Sequence, residues 1–336
     1  MDKIIGLFLA GILLFGCAGN APQENGQGIH IVPGQREAPA LQHPSMNRDE
    51  SLPSDMVKIT VDTDNYPPQL HSDEWEKPVP LLYPINTLGA EDSAFVTPDG
   101  NTLYFFFTPD VRVPVERQVL DNVTGIYVSH KENGEWGAPE RAWLSDPGEL
   151  SLDGCLFVQG NTAWFCSARA GNYRGVDLWI AQYEGGKWSG FRNAGERLNV
   201  EYGAGEMHIS ADGTTMYFHS EREGGKGGLD IWITQKEGGE WQVPVNFGIM
   251  NSPDNEGWPF ISQDGNEFWF TRFYMGSPAI FRSKKIGGEW GEPELIVSQF
   301  AGEPTLDNEG NLYFTHHFYE DGEMLEADIY VAHKKR

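Results

Sequence analysis

A segment that starts at Glu206 recurs along the chain, and this recurrence limits the fold more than any other feature. The segment runs through the turn at Asp212-Gly213 and the aromatic pair Tyr217-Phe218. It continues into a glycine-rich loop at 224–228, the pair Ile231-Trp232 and finally Trp241. Within it, apolar and polar residues alternate and are broken by turn residues, the pattern of consecutive antiparallel strands. The counterparts of Tyr217-Phe218 are Tyr104-Phe105, Trp164-Phe165, Trp269-Phe270 and Tyr313-Phe314, on a second strand. Those of Ile231-Trp232 are Ile126-Tyr127, Leu178-Trp179, Ile280-Phe281 and Ile329-Tyr330, on a third. Trp136, Trp188, Trp241 and Trp290 open a fourth. A four-stranded unit repeated at about 50 residues with an aromatic signature marks the blade of a β-propeller.

Five copies can be counted, but the last ends at Arg336 without a Trp segment of its own. Trp75-Glu76-Lys77-Pro78 matches Trp136-Gly137-Ala138-Pro139, which implies that the N-terminal segment supplies the outer strand of the last blade. The expected fold is therefore an all-β, five-bladed propeller of four-stranded antiparallel blades over residues 56–336, closed by an N-terminal strand that leaves few sheet edges free.

Residues 1–17 read as an address. Lys3 precedes an apolar run from Ile4 to Phe15, too short to cross a bilayer comfortably but suited to a signal segment. Leu14-Phe15-Gly16-Cys17 resembles a bacterial lipobox. That resemblance implies lipidation of Cys17 and, with Ala18 following it, an outer-membrane lipoprotein facing the periplasm or the cell surface. Residues 18–55 are rich in Pro, Gln, Gly and Asn and read as a flexible tether. The membrane would then be met through the lipid alone. With 49 acidic against 24 basic residues and a formal charge of −25, the surface repels phosphate backbones and excludes nucleic acid as a partner.

Cys155 and Cys166 flank Gly160-Asn161. If those two residues form a two-residue hairpin turn, the two thiols face each other across the strands, near the separation a disulfide requires.

The segments 199–206 through Asp230-Ile231-Trp232, and Asn251-Ser252-Pro253-Asp254-Asn255-Glu256 through Gly265, resemble the WD-like repeats of TolB-type periplasmic propellers. That resemblance covers roughly residues 82–335 and implies a binding platform, here a monomer, for an envelope protein or a glycan. No OmpA-like domain follows, and five blades are counted where TolB-type propellers usually have six, so it does not carry a Tol-system role with it.

An acidic residue stands at or just before each first strand: Glu91 or Asp92, Asp153, Glu206, Glu256 and Glu303. In a propeller these strands line the channel, so the carboxylates are expected to converge on one mouth and raise each other's pKa. One reading is catalytic. Asp92, Asp153 and Glu206 follow the order of the Asp, Asp and Glu of five-bladed arabinanases and β-xylosidases, which they resemble in this respect. Asp92 would then be the general base, Glu206 the general acid and Asp153 the residue that orients it. The other reading makes these acids structural or ligand-binding, together with Trp258 and His208, which could stack and hydrogen-bond a sugar ring. Arg169, Arg222 and Arg272 follow second strands, with His316-His317 at the matching place in the last blade. They could grip a carboxylate or pair with neighbouring acids. No zinc, EF-hand, phosphate-loop or dinucleotide pattern occurs. No cofactor is required, although a calcium ion would be compatible with an acidic channel.

Overall fold

A computed structural model describes residues 47–336. Cys17 and the rest of the signal and lipobox reading lie outside the described residues. Among the described residues, no helix is long and apolar enough to cross a membrane.

The five repeats fold into five antiparallel blades. Their inner strands are Ala90–Val96, Ser151–Gln159, Met207–Ile209, Glu256–Ile261 and Ala301–Leu306, and each pairs with the strand that follows it. In four of the five blades the hairpin after the inner strand is set by an Asp whose carboxylate accepts backbone hydrogen bonds. Asp99 accepts from the Asn101 amide at 3.1 Å, Asp212 from Thr214 at 3.0 Å and Asp264 from Asn266 at 3.0 Å. The glycine that follows takes a positive φ, 74° at Gly213, as a tight turn requires.

A buried Asn in the loop entering a blade clamps the third strand of the preceding one. Asn251 accepts from the Ile231 amide and donates back to the Ile231 carbonyl, both at 2.8 Å. Asn199 does the same to Leu178, at 2.7 and 3.2 Å. Asn86 does it to Ile329, at 3.0 and 2.9 Å. The repeated aromatic residues pack between blades, as in the T-shaped contact of Phe247 with Phe268 at 4.9 Å.

The ring closes as the sequence implies. Val79–Pro80 pairs with Tyr330 and Val331 of the last blade, and Trp75 bridges to Lys334. Trp75 is 1% exposed. It donates to the Gly310 carbonyl at 2.9 Å, meets Trp269 edge-on at 5.4 Å and lies beneath the Arg282 guanidinium. A further two-residue strand, Gln69–Leu70, adds itself to the outer edge of the fourth blade. The packed body also reaches back into the stretch read as tether. Arg48 is buried against Phe105, Phe107 and Tyr127 of the first blade and ion-pairs with Glu91.

Candidate functional site

Register separates the five first-strand acids. In four inner strands the ladder skips at a β-bulge and resumes at Phe95, Phe157, Phe260 and Thr305, with His208 at the same place in the third blade. Two residues before these points stand Ser93, Cys155, Glu206, Trp258 and Glu303. All five line one small chamber of about 60 Å³ on the axis. Four of them hold left-handed backbone, with φ of 49° at Ser93, 51° at Cys155, 52° at Trp258 and 59° at Glu303. A bulge turns a side chain that would otherwise lie between blades into the channel. Three residues before the same points, four blades carry Gly and the first carries Asp92. A Cβ at Gly205 would lie 2.1 Å from the His219 ring.

Glu91, Asp153 and Glu256 stand one position further back and do not face the chamber. Glu91 accepts from the Thr87 amide at 2.9 Å and its hydroxyl at 2.6 Å. Glu256 accepts from the Ser252 amide at 3.0 Å and from Arg272 at 2.7 Å. Asp153 accepts from the Ser167 hydroxyl at 2.7 Å and the Ser151 hydroxyl at 2.8 Å, and it pairs with Arg169. Glu91 and Glu256 hold the loop between two blades against the next inner strand, and Asp153 reaches that loop through Arg169, which donates to the Leu144 carbonyl at 2.8 Å.

Convergence of all five acids on one mouth is therefore corrected to two, Glu206 and Glu303, with Asp92 behind them, hydrogen-bonded to Glu303 and paired with His317. Asp153 and Glu256 leave the expected catalytic and binding sets because their oxygens are spent on protein donors. Arg169 and Arg272 leave with them. Arg222 makes no ion pair among the described residues, since Ala204 stands where three other blades carry Glu91, Asp153 or Glu256. Its guanidinium lies over Trp232, 4.7 Å from the ring centre. His316 bonds Asp64 at 2.9 Å.

Cys155 and Cys166 form no disulfide with each other. The expected disulfide fails because the bulge shifts the register: Gly154, not Cys155, faces Cys166. Cys155 instead turns towards Glu206, and its thiol hydrogen-bonds the carboxyl.

Asp92, Glu206 and Glu303 are electrostatically unlike. Burial opposes the charge on Asp92, yet the His317 imidazole 3.4 Å away, a hydrogen bond from Glu303 and one from the Ser93 amide hold it down at about 2. Burial, reinforced by the charges of Asp92 and Glu206, lifts Glu303 well above the carboxylate range. It therefore carries a proton and donates to Asp92, while its other oxygen accepts from the Ser93 amide at 2.7 Å. Burial pushes Glu206 up to about 8 against the Cys155 hydrogen bond, and the Asp92 charge adds to the rise. The Trp258 indole donates to Glu206 at 2.9 Å. Among the described residues, no group of three His, Cys, Asp or Glu is arranged to hold a metal ion.

The chamber opens through a collar of Phe95, Phe157, His208 and Phe260 into a funnel of about 660 Å³ on the hairpin face. His208 lies between the rings of Phe157 at 4.3 Å and Phe260 at 4.7 Å, and burial drops its pKa to about 3, so it is neutral. The funnel rim carries amides and charges, among them Gln159, Gln263, Asn266, Asp264 and Lys284. On the opposite face, where loops enter the inner strands, Tyr66 packs on Phe300 at 5.3 Å and Phe300 stacks on Tyr319 at 4.9 Å. The funnel was missed in sequence because its wall comes from single residues after each bulge. The repeated Phe at positions 95, 157 and 260 was the available signal.

No family model and no curated protein sequence matches the chain. Solved structures do resemble it. The endo-arabinase of Bacteroides thetaiotaomicron VPI-5482 is 14% identical, with 77% of this chain and 98% of that one covered at a TM-score of 0.49. The catalytic domain of the Coprinopsis cinerea GH62 α-L-arabinofuranosidase is 10% identical over 78% and 97%, at 0.47. TolB of Acinetobacter baumannii is 12% identical over 75% of this chain and 56% of that one, at 0.44. At such identities the likeness is one of architecture, and the function rests on the site itself.

Proposed function

We propose that this propeller is a binding platform that draws part of an envelope protein or a glycan into the funnel on its hairpin face. The observation that carries this reading is the contrast between the two spaces on the axis. A volume of about 660 Å³ with an aromatic wall and a polar rim has the size and make-up of a ligand site, which usually runs to about 300–1,000 Å³. The chamber behind it, about 60 Å³, has room for one or two waters at about 30 Å³ each. Lipidation at Cys17 and tethering to the outer membrane, facing periplasm or cell surface, belong to the same proposal; the lipobox-like Leu14-Phe15-Gly16-Cys17 supports them.

Ala211 sits exposed on the funnel rim, so an indole placed there would cross the mouth without entering the core. Full-length protein in detergent micelles should capture its partner from a glycan array or an envelope extract, and A211W should lose that capture by tenfold or more while keeping its thermal transition. Undiminished capture by A211W would move the binding surface elsewhere.

A second reading, glycoside hydrolysis, is favoured by one observation. Asp92 is held ionised and Glu206 protonated, the states that a general base and a general acid need. Against it stand the size of the chamber and the absence from it of Asp153. On the hydrolase reading, E206Q abolishes turnover of arabino- or xylo-oligosaccharides in a folded protein. On the platform reading, the unaltered protein releases no sugar from them.

A further inference from the structure

The funnel narrows to an aromatic collar, and beyond the collar lie the carboxyls of Glu206 and Glu303, with Asp92 behind them. We infer that the throat recognises a primary alkylammonium group on a slender stem, such as a lysine side chain of a protein partner, with the stem in the collar and the charged head in the chamber. This rests on the platform reading of the funnel and names the chemistry that would reach its floor.

Three observations carry it. The collar residues Phe95, Phe157, His208 and Phe260 line both spaces, so the funnel and the chamber are one passage. Its walls are rings, which suit methylenes by contact and a cation by their faces. The chamber is too small for a pyranose ring but holds a head the size of a water or two, so an amino sugar, whose nitrogen is fixed to its ring, could not deliver the group.

The third observation is a buried ring nitrogen without a partner. Nδ1 of His208 is shut off from solvent and makes no hydrogen bond of normal geometry. An ammonium brings three donors and no acceptor. The chamber offers the carboxyls of Glu206 and Glu303, the charge of Asp92 behind them and, at its entrance, the neutral His208 ring. A metal ion fits less well, since no metal-binding arrangement of three His, Cys, Asp or Glu occurs among the described residues.

Binding should be linked to proton release. The groups facing Glu206 are Asp92 from the first blade, Cys155 from the second, Trp258 from the fourth and Glu303 from the fifth, while His219 of its own blade accepts from its amide at 3.2 Å. None of them is a cation that would keep Glu206 ionised in the empty site. An incoming ammonium supplies that charge, so Glu206 gives its proton to solvent on binding. Binding is therefore weaker below the carboxyl's folded pKa of about 8 and strengthens as pH rises through it.

The test is calorimetric titration of the full-length protein with n-butylammonium chloride and with Nα-acetyl-lysine amide. Uncharged 1-pentanol and glucosamine serve as controls, at pH 7 and pH 9, where alkylammonium groups remain charged. Butylammonium and the lysine amide should bind at least tenfold more tightly than pentanol or glucosamine. They should gain about tenfold between pH 7 and pH 9 and release a proton at pH 7, seen by comparing two buffers of different ionisation enthalpy. E206Q should bind them at least tenfold more weakly at pH 9 and lose the pH dependence. Pentanol or glucosamine binding as well as butylammonium, an affinity independent of pH in the unaltered protein, or calcium binding more tightly and displacing the amine would each overturn the inference, and none of these readings depends on the variant folding. Partner capture that survives while butylammonium fails to bind leaves the platform standing and removes only the ammonium. Loss of A211W sensitivity with butylammonium still bound does the reverse.

Discussion

At Glu206 a single carboxyl feels burial, the charge of Asp92 and hydrogen bonds from Cys155 and Trp258, and burial wins. The native state therefore holds a proton that the unfolded chain releases near its ordinary pKa of 4.5. Glu303 leans the same way, as do Glu326, raised to about 8, and Glu91, raised to about 7, each through burial that Lys58 or Arg48 only partly offsets. Raised carboxyl pKa values contribute stability that is fully present below the unfolded value and lost as pH rises through the folded one. Unfolding by urea should therefore show a midpoint that falls from pH 7 to pH 9, above the range in which His208 and His219, lowered to about 3 by burial, act in the opposite sense. E206Q, which stays neutral throughout, should flatten that fall by at least about 1.4 kcal/mol, the equivalent of one pKa unit. Parallel pH profiles for the two proteins would mean that Glu206 is ionised in the native state.

Part of this was legible in the residues themselves. Glu91 and Glu256 each lie five positions after a clamping Asn that is followed by Thr or Ser, whereas Glu206 lies seven after Asn199. That spacing separates the loop-holding acids from the channel acid. The count of one acid per blade, made without it, merged two classes.

Among the elements, the blades themselves could be read in advance because aromatic pairs recur in every blade and Asp-Gly turns in three of the five inner hairpins, where local chemistry decides the backbone. The bulges could not. Ser93, Cys155, Trp258 and Glu303 share a left-handed backbone but no side-chain type, and none is a Gly that would announce it. One skipped residue per inner strand was enough to move Cys155 away from Cys166 and Asp153 off the channel. The same comparison of blades yields a prediction. Replacing Arg272 by Ala leaves Glu256, 0% exposed, without its cation, and breaking a buried pair in this way costs roughly 3 kcal/mol or more. Replacing Arg222 by Ala breaks no ion pair and removes mainly its place over Trp232, worth about 1 kcal/mol. Equal shifts in the urea midpoint for the two variants would contradict the division of the acids into loop-holding and channel-facing sets.

For the molecule as a whole, closure couples the two ends of the chain, and Trp75 is where the coupling concentrates. Its indole is fully enclosed by the edge of Trp269, the Arg282 and Lys334 side chains and the Gly310 carbonyl. Trp136, in the corresponding place of the first blade, is only partly buried and belongs to a blade whose strands are contiguous in sequence. Truncation of a buried Trp to Ala costs roughly 3–5 kcal/mol. At position 75 the loss also loosens Val79–Pro80, the strand that, among the described residues, covers the outer edge of the last blade. An unpaired edge there would expose the Glu323–Ala332 strand to solvent and to other chains. W75A should therefore unfold at a lower urea concentration than W136A, by several kcal/mol, and should show faster amide exchange at Tyr330 and Val331 than the unaltered protein. If W75A and W136A are destabilised alike and exchange at Tyr330 and Val331 is unchanged, the ring is held shut by the Asn86 clamp and the inter-blade packing rather than by the N-terminal strand.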